Sequence, residues 1–211
     1  MTLQSSTDLL VLHAVRLLGF ADAAATAGFY DLDPQDTTRI LLEGAGSGWL
    51  QYLDFDGLAG WSLTDEGRLE NERRLADERK VADPDDEIGA SYKAFLPLNA
   101  RLVRACTDWQ LGPTADGALR STDHRDADWD DRILDELSDL YAALVPIVGR
   151  LTGVLNRFRG YDIRFCTALQ RAHHGHRDWV DKTDVDSCHK VWFQLHEDLL
   201  ATQGIDRRTE H

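Results

Sequence analysis

The chain has 211 residues, of which 43% are hydrophobic, and its 37 acidic and 23 basic side chains give a formal net charge of −14. This length and apolar content are enough for one domain or two small ones with a real core. The negative charge repels nucleic acids and membranes in general, so a DNA-binding role needs a local basic surface.

The first predicted elements are three helices. Residues 8–18 carry leucine and valine at helical spacing, and the Ala-rich segment FADAAATAGF predicts a second helix that ends at Gly28. Asp33 followed by Pro34 is a strong helix start, which predicts a third helix from Pro34 to about Ala45. Thr7 or Asp8 is the expected N-cap of the first helix. The N-terminal segment MTLQSSTDLL has no basic region followed by an apolar one, so a secretory signal is not expected.

A two-stranded hairpin and a fourth helix follow. The apolar period changes from 3.6 to 2, which predicts strands at Trp49–Leu53 and Trp61–Leu63. The segment between them, DFDGLAG, contains an Asp-Gly turn signal. Thr64 is then the expected N-cap of a long charged helix through Lys80. Three helices, a hairpin and a further helix are the element order of a winged helix-turn-helix.

The segment GWSLTDEGR resembles the end of the wing in MarR-like transcription regulators, where a strand runs into an LT-x-x-G motif and a helix. The resemblance covers about residues 8–80. It implies that residues 1–83 form a winged helix-turn-helix domain that binds DNA as a homodimer, with the third helix in the major groove. The exposed residues of that helix, which are the candidates for DNA contact, are Gln35, Thr38 and Arg39.

The charge of this first domain favours an alternative. Residues 1–64 hold only two basic residues, Arg16 and Arg39, against eight acidic ones. The tip of the wing carries Asp54 and Asp56, where MarR-like regulators place basic residues. A winged-helix protein that binds another protein through the same surface, and not DNA, is therefore the alternative.

The second half, residues 84–211, is predicted to be an all-helical domain that dimerises or senses a small-molecule effector. The acidic segment VADPDDEIGA is a connector. Residues 112–128 are polar and without periodicity, which predicts a long surface loop. The predicted helices cover residues 87–111, 128–157, 162–179 and 187–203. The fold class is thus mostly α.

No membrane partner is expected. The most apolar stretch, Leu140 to Leu155, contains Pro146 and is interrupted by Arg150. It is shorter than the roughly 20 consecutive apolar residues that a membrane-spanning helix needs.

Residues 150–190 form the one basic stretch, with eight basic and five acidic side chains. Arginine side chains there are candidates for holding an anionic effector, and the tryptophans of this half are candidates for lining an apolar pocket. The candidate ligand-binding residues are Arg164, Arg171, His173 and Trp192. The alternative is that the arginines pair with the acid-rich helix over residues 128–139 and that the tryptophans fill the core.

No metal, cofactor or catalytic site is predicted. The pairs Cys166 with His173 and His189 with His196 are each seven residues apart, a rise of roughly 10 Å along a helix, which is too far for one metal ion. The chain has no P-loop, no G-x-S-x-G and no H-E-x-x-H motif. Its three cysteines, without a C-x-x-C pair, are expected to be free thiols in a cytoplasmic protein. An enzyme or small-molecule-binding protein that uses the Arg/His-rich helices is a distant alternative.

Overall fold

The computed structural model describes residues 2–113 and 119–206. Within them the chain is mostly helical and carries an antiparallel two-stranded sheet, as the sequence predicts. In chain order the elements are α1 (Thr7–Leu18), α2 (Ala23–Phe29), α3 (Pro34–Gly46), β1 (Leu50–Phe55), β2 (Leu58–Leu63), α4 (Asp65–Ala82), α5 (Glu87–Gln110), β3 (Leu111–Pro113), β4 (Leu119–Ser121), α6 (Ala127–Val154), a 3₁₀ turn (Asn156–Phe158), α7 (Tyr161–His173), α8 (Asp178–Asp181) and α9 (Cys188–Gln203).

The chain divides into two compact units. The first unit contains Met1–Asp86 with two later segments, Gly153–Arg157 and His196–His211. The second unit contains Glu87–Thr152 and Phe158–Leu195. The sequence predicts a single domain boundary after residue 83. The division in the structure differs from it, because the later part of α9 belongs to the first unit.

Side-chain caps start the helices of the first unit. Asp33 accepts hydrogen bonds from the backbone N–H groups at the start of α3, and Pro34 occupies the first turn, as predicted. Thr64 accepts from Gly67 N at the start of α4, which confirms the predicted cap. The cap of α1 is Ser6, whose side chain accepts from Leu9 N. The prediction of Thr7 or Asp8 was wrong, because Thr7 is the first residue of the helix and Asp8 is the second.

The core of the first unit joins α1 and α3 to the hairpin. Its buried residues are Val11, Leu12 and Val15 of α1, Ile40 and Leu41 of α3, and Leu50 and Trp61 of the hairpin. The strands pair from Leu50 with Leu63 to Phe55 with Leu58, so they are longer than predicted. The turn is tight because Asp56 and Gly57 both have positive φ, 53° and 80°, as a two-residue hairpin turn requires.

In the second unit, apolar stripes on α5 and α6 are buried as predicted. The buried stripe of α6 consists of Ile133, Leu137, Leu140, Leu144, Val148 and Leu151. The loop predicted for residues 112–128 was wrong in part, because β3 and β4 pair antiparallel and α6 begins at Ala127. Residues 114–118 of that predicted loop lie outside the described residues. The helix predicted for 162–179 ends at His173, before Gly175, whose φ of 85° is unsuited to a helix.

By length and composition, α6 could also cross a membrane. An 18-residue window within it has a mean hydropathy of 1.3, and a third of that window is buried. The core helix of a soluble domain meets the same criterion. The stripe of buried leucines on α6 is the pattern of such a core helix.

Candidate functional site

The predicted DNA-contacting residues lie together on the outer side of α3. Gln35, Thr38 and Arg39 are all exposed, while Thr37, Ile40 and Leu41 point into the core. The hydroxyl of Thr38 donates to the carbonyl of Pro34, 2.8 Å away. The helix therefore presents the three side chains on one surface, as the sequence predicts.

The guanidinium of Arg39 is held by two carboxylates of the same helix. Its Nη1 lies 2.9 and 3.0 Å from the two carboxylate oxygens of Glu43, and its Nη2 lies 3.3 Å from Asp36. The hydrogen bonds with Glu43 and Asp36 raise the pKa of Arg39, and the bond with Glu43 has the larger effect. A phosphate that approached Arg39 would have to compete with these carboxylates. The outer side of α3 therefore does not present a free cation.

The two faces of the hairpin differ in burial. On the inner face Leu50 and Trp61 are buried, whereas Tyr52 is 55% exposed and its ring stands edge-on to Trp61 with 5.1 Å between the centroids. On the outer face Leu53, Phe55 and Leu58 are 37%, 53% and 59% exposed. Strand geometry explains this split, because alternate residues of a strand point to opposite faces.

Phe20 extends the outer face beyond the hairpin. Ala21 pairs with Trp61 as an isolated bridge, which sets Phe20 beside β2. Its ring centroid lies 5.8 Å from that of Phe55. Gly60 leaves room for this arrangement, because a Cβ there would lie 2.8 Å from the ring of Phe20 and 2.9 Å from the carbonyl oxygen of Ala21. Four apolar side chains thus form one surface, which we call the hairpin face: Phe20, Leu53, Phe55 and Leu58.

Acidic residues flank the hairpin face. Asp22 and Asp56 are exposed and follow Phe20 and Phe55 closely in the chain, whereas Asp54 is exposed on the opposite face of β1, with Tyr52. Between residues 17 and 67, the sequence contains nine acidic side chains and a single basic one, Arg39. The hairpin face is therefore an exposed apolar surface with a negative surround. Contiguous apolar surface of this kind marks interaction sites in soluble proteins.

The candidate ligand-binding residues of the second unit have separate surroundings. Trp192 is buried, its Nε1 donates to Asn99 Oδ1 at 3.1 Å, and it packs against Phe95 and Phe165. Arg164 makes two 2.7 Å hydrogen bonds to the carboxylate of Asp186. Trp192 is thus a core residue. Arg164 pairs with Asp186, which lies outside the acid-rich helix over residues 128–139 that was its alternative partner from the sequence.

The other two candidates are exposed. The guanidinium of Arg171 lies 5.6 Å from the ring centroid of Trp179, and Nε2 of His173 lies 3.2 Å from Ser138 Oγ. These contacts are distinct from those of Arg164 and Trp192. The structure therefore does not bring the four predicted ligand-binding side chains into one pocket.

A buried ionic cluster in the first unit was not predicted. His13, Asn71, Arg157 and Asp198 are almost fully buried and joined by hydrogen bonds. They come from α1, α4, the 3₁₀ turn and α9. The sequence carries no local signal for this cluster, because its members are far apart in the chain.

No group of three or more His, Cys, Asp or Glu side chains in the described part of the chain is arranged to hold a metal ion. Comparison of the chain with protein-family models, with curated proteins and with solved structures gave no match.

Proposed function

We propose that the first unit is a winged helix-turn-helix that acts as a protein-interaction module, with the hairpin face as its binding surface for a basic, partly apolar segment of a partner protein. The element order α1, α2, α3, β1, β2 and α4 supports the fold, with the hairpin as the wing. The observation that carries the function is the exposed apolar surface of Leu53, Phe55 and Leu58 within an acidic region.

Charge complementarity determines the kind of partner. A partner that covers the hairpin face must bring lysine or arginine toward Asp22 and Asp56, and apolar side chains toward Phe55 and Leu58. Opposite charges around an apolar centre raise the association rate and exclude acidic competitors. The acidic surround disfavours nucleic acid for the same reason, since the phosphate backbone dominates that affinity.

DNA binding by α3 is the second candidate. The exposure of Gln35, Thr38 and Arg39 on one side of α3 favours it, as does the resemblance of GWSLTDEGR to the wing of MarR-like regulators. This candidate requires that Arg39 exchange its bonds to Glu43 and Asp36 for bonds to DNA. It also requires a homodimer to read two half-sites.

The experiment compares three kinds of probe on the full chain by fluorescence anisotropy. The probes are a panel of labelled 15-residue peptides that combine lysine and arginine with leucine and phenylalanine, the same panel with glutamate at the basic positions, and sheared double-stranded DNA. We expect saturable binding of basic peptides only, weakened by salt.

Matched variants locate the binding surface. The double substitution Phe55→Ser with Leu58→Ser should weaken peptide binding by about tenfold or more. Leu69→Ser is the control, because Leu69 is also exposed but lies on α4 away from the hairpin face. Asp56→Asn should weaken binding and reduce its salt dependence, whereas Asp54→Asn, on the opposite face of β1, should change both less. Salt-sensitive retention of DNA that Arg39→Ala abolishes, without peptide binding, would establish the DNA-binding candidate in place of this proposal.

A further inference from the structure

His124 of the second unit is held in an uncommon backbone conformation. Its φ is 56°, in the left-handed region that non-glycine residues seldom occupy. The residue lies between β4 and α6, and its backbone N–H donates to Thr122 Oγ1 at 3.1 Å. Backbone strain of this kind persists only where the surroundings enforce it, and it is concentrated at functional sites.

Three further contacts fix the imidazole and the backbone of His124. Its Nδ1 lies 3.0 Å from a carboxylate oxygen of Asp130, and its ring centroid lies 4.4 Å from that of Trp109. Its carbonyl oxygen accepts a hydrogen bond from Arg177 Nη2 at 2.8 Å. Because a carboxylate only accepts hydrogen bonds, Nδ1 carries the proton toward Asp130, and in the neutral imidazole Nε2 is then an acceptor.

His124 lines a cavity of about 340 Å³ whose walls are polar. This volume lies at the small end of the range for small-molecule sites. No residue in the described part of the chain forms a hydrogen bond with Nε2 of His124. The ring is only partly exposed, with 18% of its side-chain surface accessible. An oriented acceptor therefore faces a space large enough for a small molecule.

Two cations line the same cavity without a carboxylate partner. Over residues 2–113 and 119–206, neither Arg177 nor Lys182 makes an ion pair, although the chain carries a net charge of −14. Asp178 also lines the cavity and accepts no side-chain hydrogen bond within those ranges, whereas Asp181 is held by Gln110 Nε2 at 2.7 Å. The cavity thus offers two cations and two acceptors.

We propose that this cavity binds a small carboxylate that carries a hydroxyl or amino group on the neighbouring carbon. Arg177 and Lys182 hold the carboxylate of the ligand, since both are cationic donors that line the cavity. Nε2 of His124 and the carboxylate of Asp178 accept hydrogen bonds from the hydroxyl or amino group. The site belongs to the second unit and does not depend on the function of the hairpin face.

The test is an NMR titration of the full chain, in which the imidazole Cε1–H resonance of His124 is followed. Glycerate and serine, which differ at the second carbon by a hydroxyl and an amino group, are the probes. Propionate lacks both groups, and glycerol lacks the carboxylate. We expect a saturable shift with glycerate or serine, and affinity lower by about tenfold or more for propionate and glycerol.

Variants separate binding from folding. Lys182→Met changes an exposed side chain and should weaken the binding of the probe without a change in the circular dichroism spectrum. His124→Asn retains a residue type that tolerates positive φ and should also weaken binding, which is measured by isothermal titration calorimetry because this variant lacks the imidazole reporter. The control is His174→Gln, because His174 is exposed and its Nδ1 bonds to the carbonyl of Gln170 in its own helix. No saturable shift of His124 with either probe, or equal affinity for propionate, overturns the proposal.

Discussion

Nε2 of His13 lies 3.0 Å from a carboxylate oxygen of Asp198, although 185 residues separate the two along the chain. Nδ1 of the same ring contacts Asn71 Oδ1 at 3.3 Å. Arg157 bonds to the same oxygen of Asp198 and, through Nη2, to Thr202 Oγ1 at 2.7 Å. These buried contacts join the first helix of the chain to the last within the first unit.

The first prediction concerns the loss of one partner from this cluster. Asp198→Asn removes the carboxylate to which the buried guanidinium of Arg157 bonds, and Arg157→Met removes that guanidinium from the carboxylate of Asp198. Each should lower the free energy of unfolding by about 3–5 kcal/mol, since an uncompensated buried charge remains. Urea denaturation followed by circular dichroism measures the change.

The matched control for that prediction is Arg73→Met. Arg73 forms ion pairs with Glu70 and Asp77 on the exposed side of α4. Exposed pairs stabilise little, because solvent screens them. An equal loss in Arg73→Met and Arg157→Met would show that burial of the cluster is not what makes it stabilising.

The second prediction is a pH dependence of this cluster. Burial alone would raise the pKa of Asp198, but the charges of Arg157 and His13 outweigh burial and lower it. The folded pKa then lies below the unfolded value of about 3.9. The stabilisation is therefore fully present above about pH 4 and is lost as the pH falls through the folded pKa.

The measurement for the pH dependence compares wild type with Asp198→Asn across acidic pH. The difference in unfolding free energy between the two should shrink as the pH falls below about 4, because the unfolded wild type binds the Asp198 proton more tightly than the folded wild type and the asparagine of the variant binds none. A difference that stays constant over that range would contradict the lowered pKa.

The hairpin and its flanking helices could be predicted because their signals are local. Asp33 with Pro34 starts α3, and Asp56 with Gly57 forms the turn, within a few residues of the positions that they determine. The cluster around Asp198 depends instead on residues from four separate elements. The burial of a histidine, an arginine and an aspartate has no local pattern, so the sequence could not reveal it.

The second unit shows the same limit for the candidate ligand-binding residues. Trp192 is a candidate pocket residue from the sequence, with core filling as the alternative, and its packing against Phe95 and Phe165 places it in the core. The hairpin of β3 and β4 was missed because its strands have three residues each and one contains Gly112 and Pro113. Such short strands carry no alternating pattern.

The third prediction concerns Gly67, the glycine of the LT-x-x-G motif. A Cβ on Gly67 would lie 1.9 Å from the carbonyl oxygen of Trp49, and that carbonyl already accepts from Thr64 N at 3.0 Å. Thr64 Oγ1 also donates to Gly48 O at 2.6 Å, which fixes the same stretch of backbone. Gly67→Ala should therefore destabilise the protein by an amount at or above the upper end of the roughly 1–3 kcal/mol that overpacking costs.

Gly28→Ala is the control for Gly67→Ala. Gly28 lies within α2, and a Cβ there has no neighbour within 4 Å. Alanine at such a position should stabilise the helix by about 0.4–1 kcal/mol. Thermal unfolding of both variants measures the contrast. The close approach of Trp49 to Gly67 is disproved if Gly67→Ala melts at the wild-type temperature.

The last prediction concerns the three free thiols. Cys106 and Cys188 are buried, and burial raises the pKa of Cys106 to about 12 and that of Cys188 further still. Cys166 is half-buried and is the most accessible of the three. Because the thiolate is the reactive form, a disulfide reagent at mildly alkaline pH should modify Cys166 alone in the native protein, and the other two only on unfolding.

Mass spectrometry of the labelled peptides measures this, and Cys166→Ser should leave no rapidly reacting thiol. Rapid labelling of Cys106 or Cys188 in the folded protein would mean that the second unit opens around them on the timescale of the reaction.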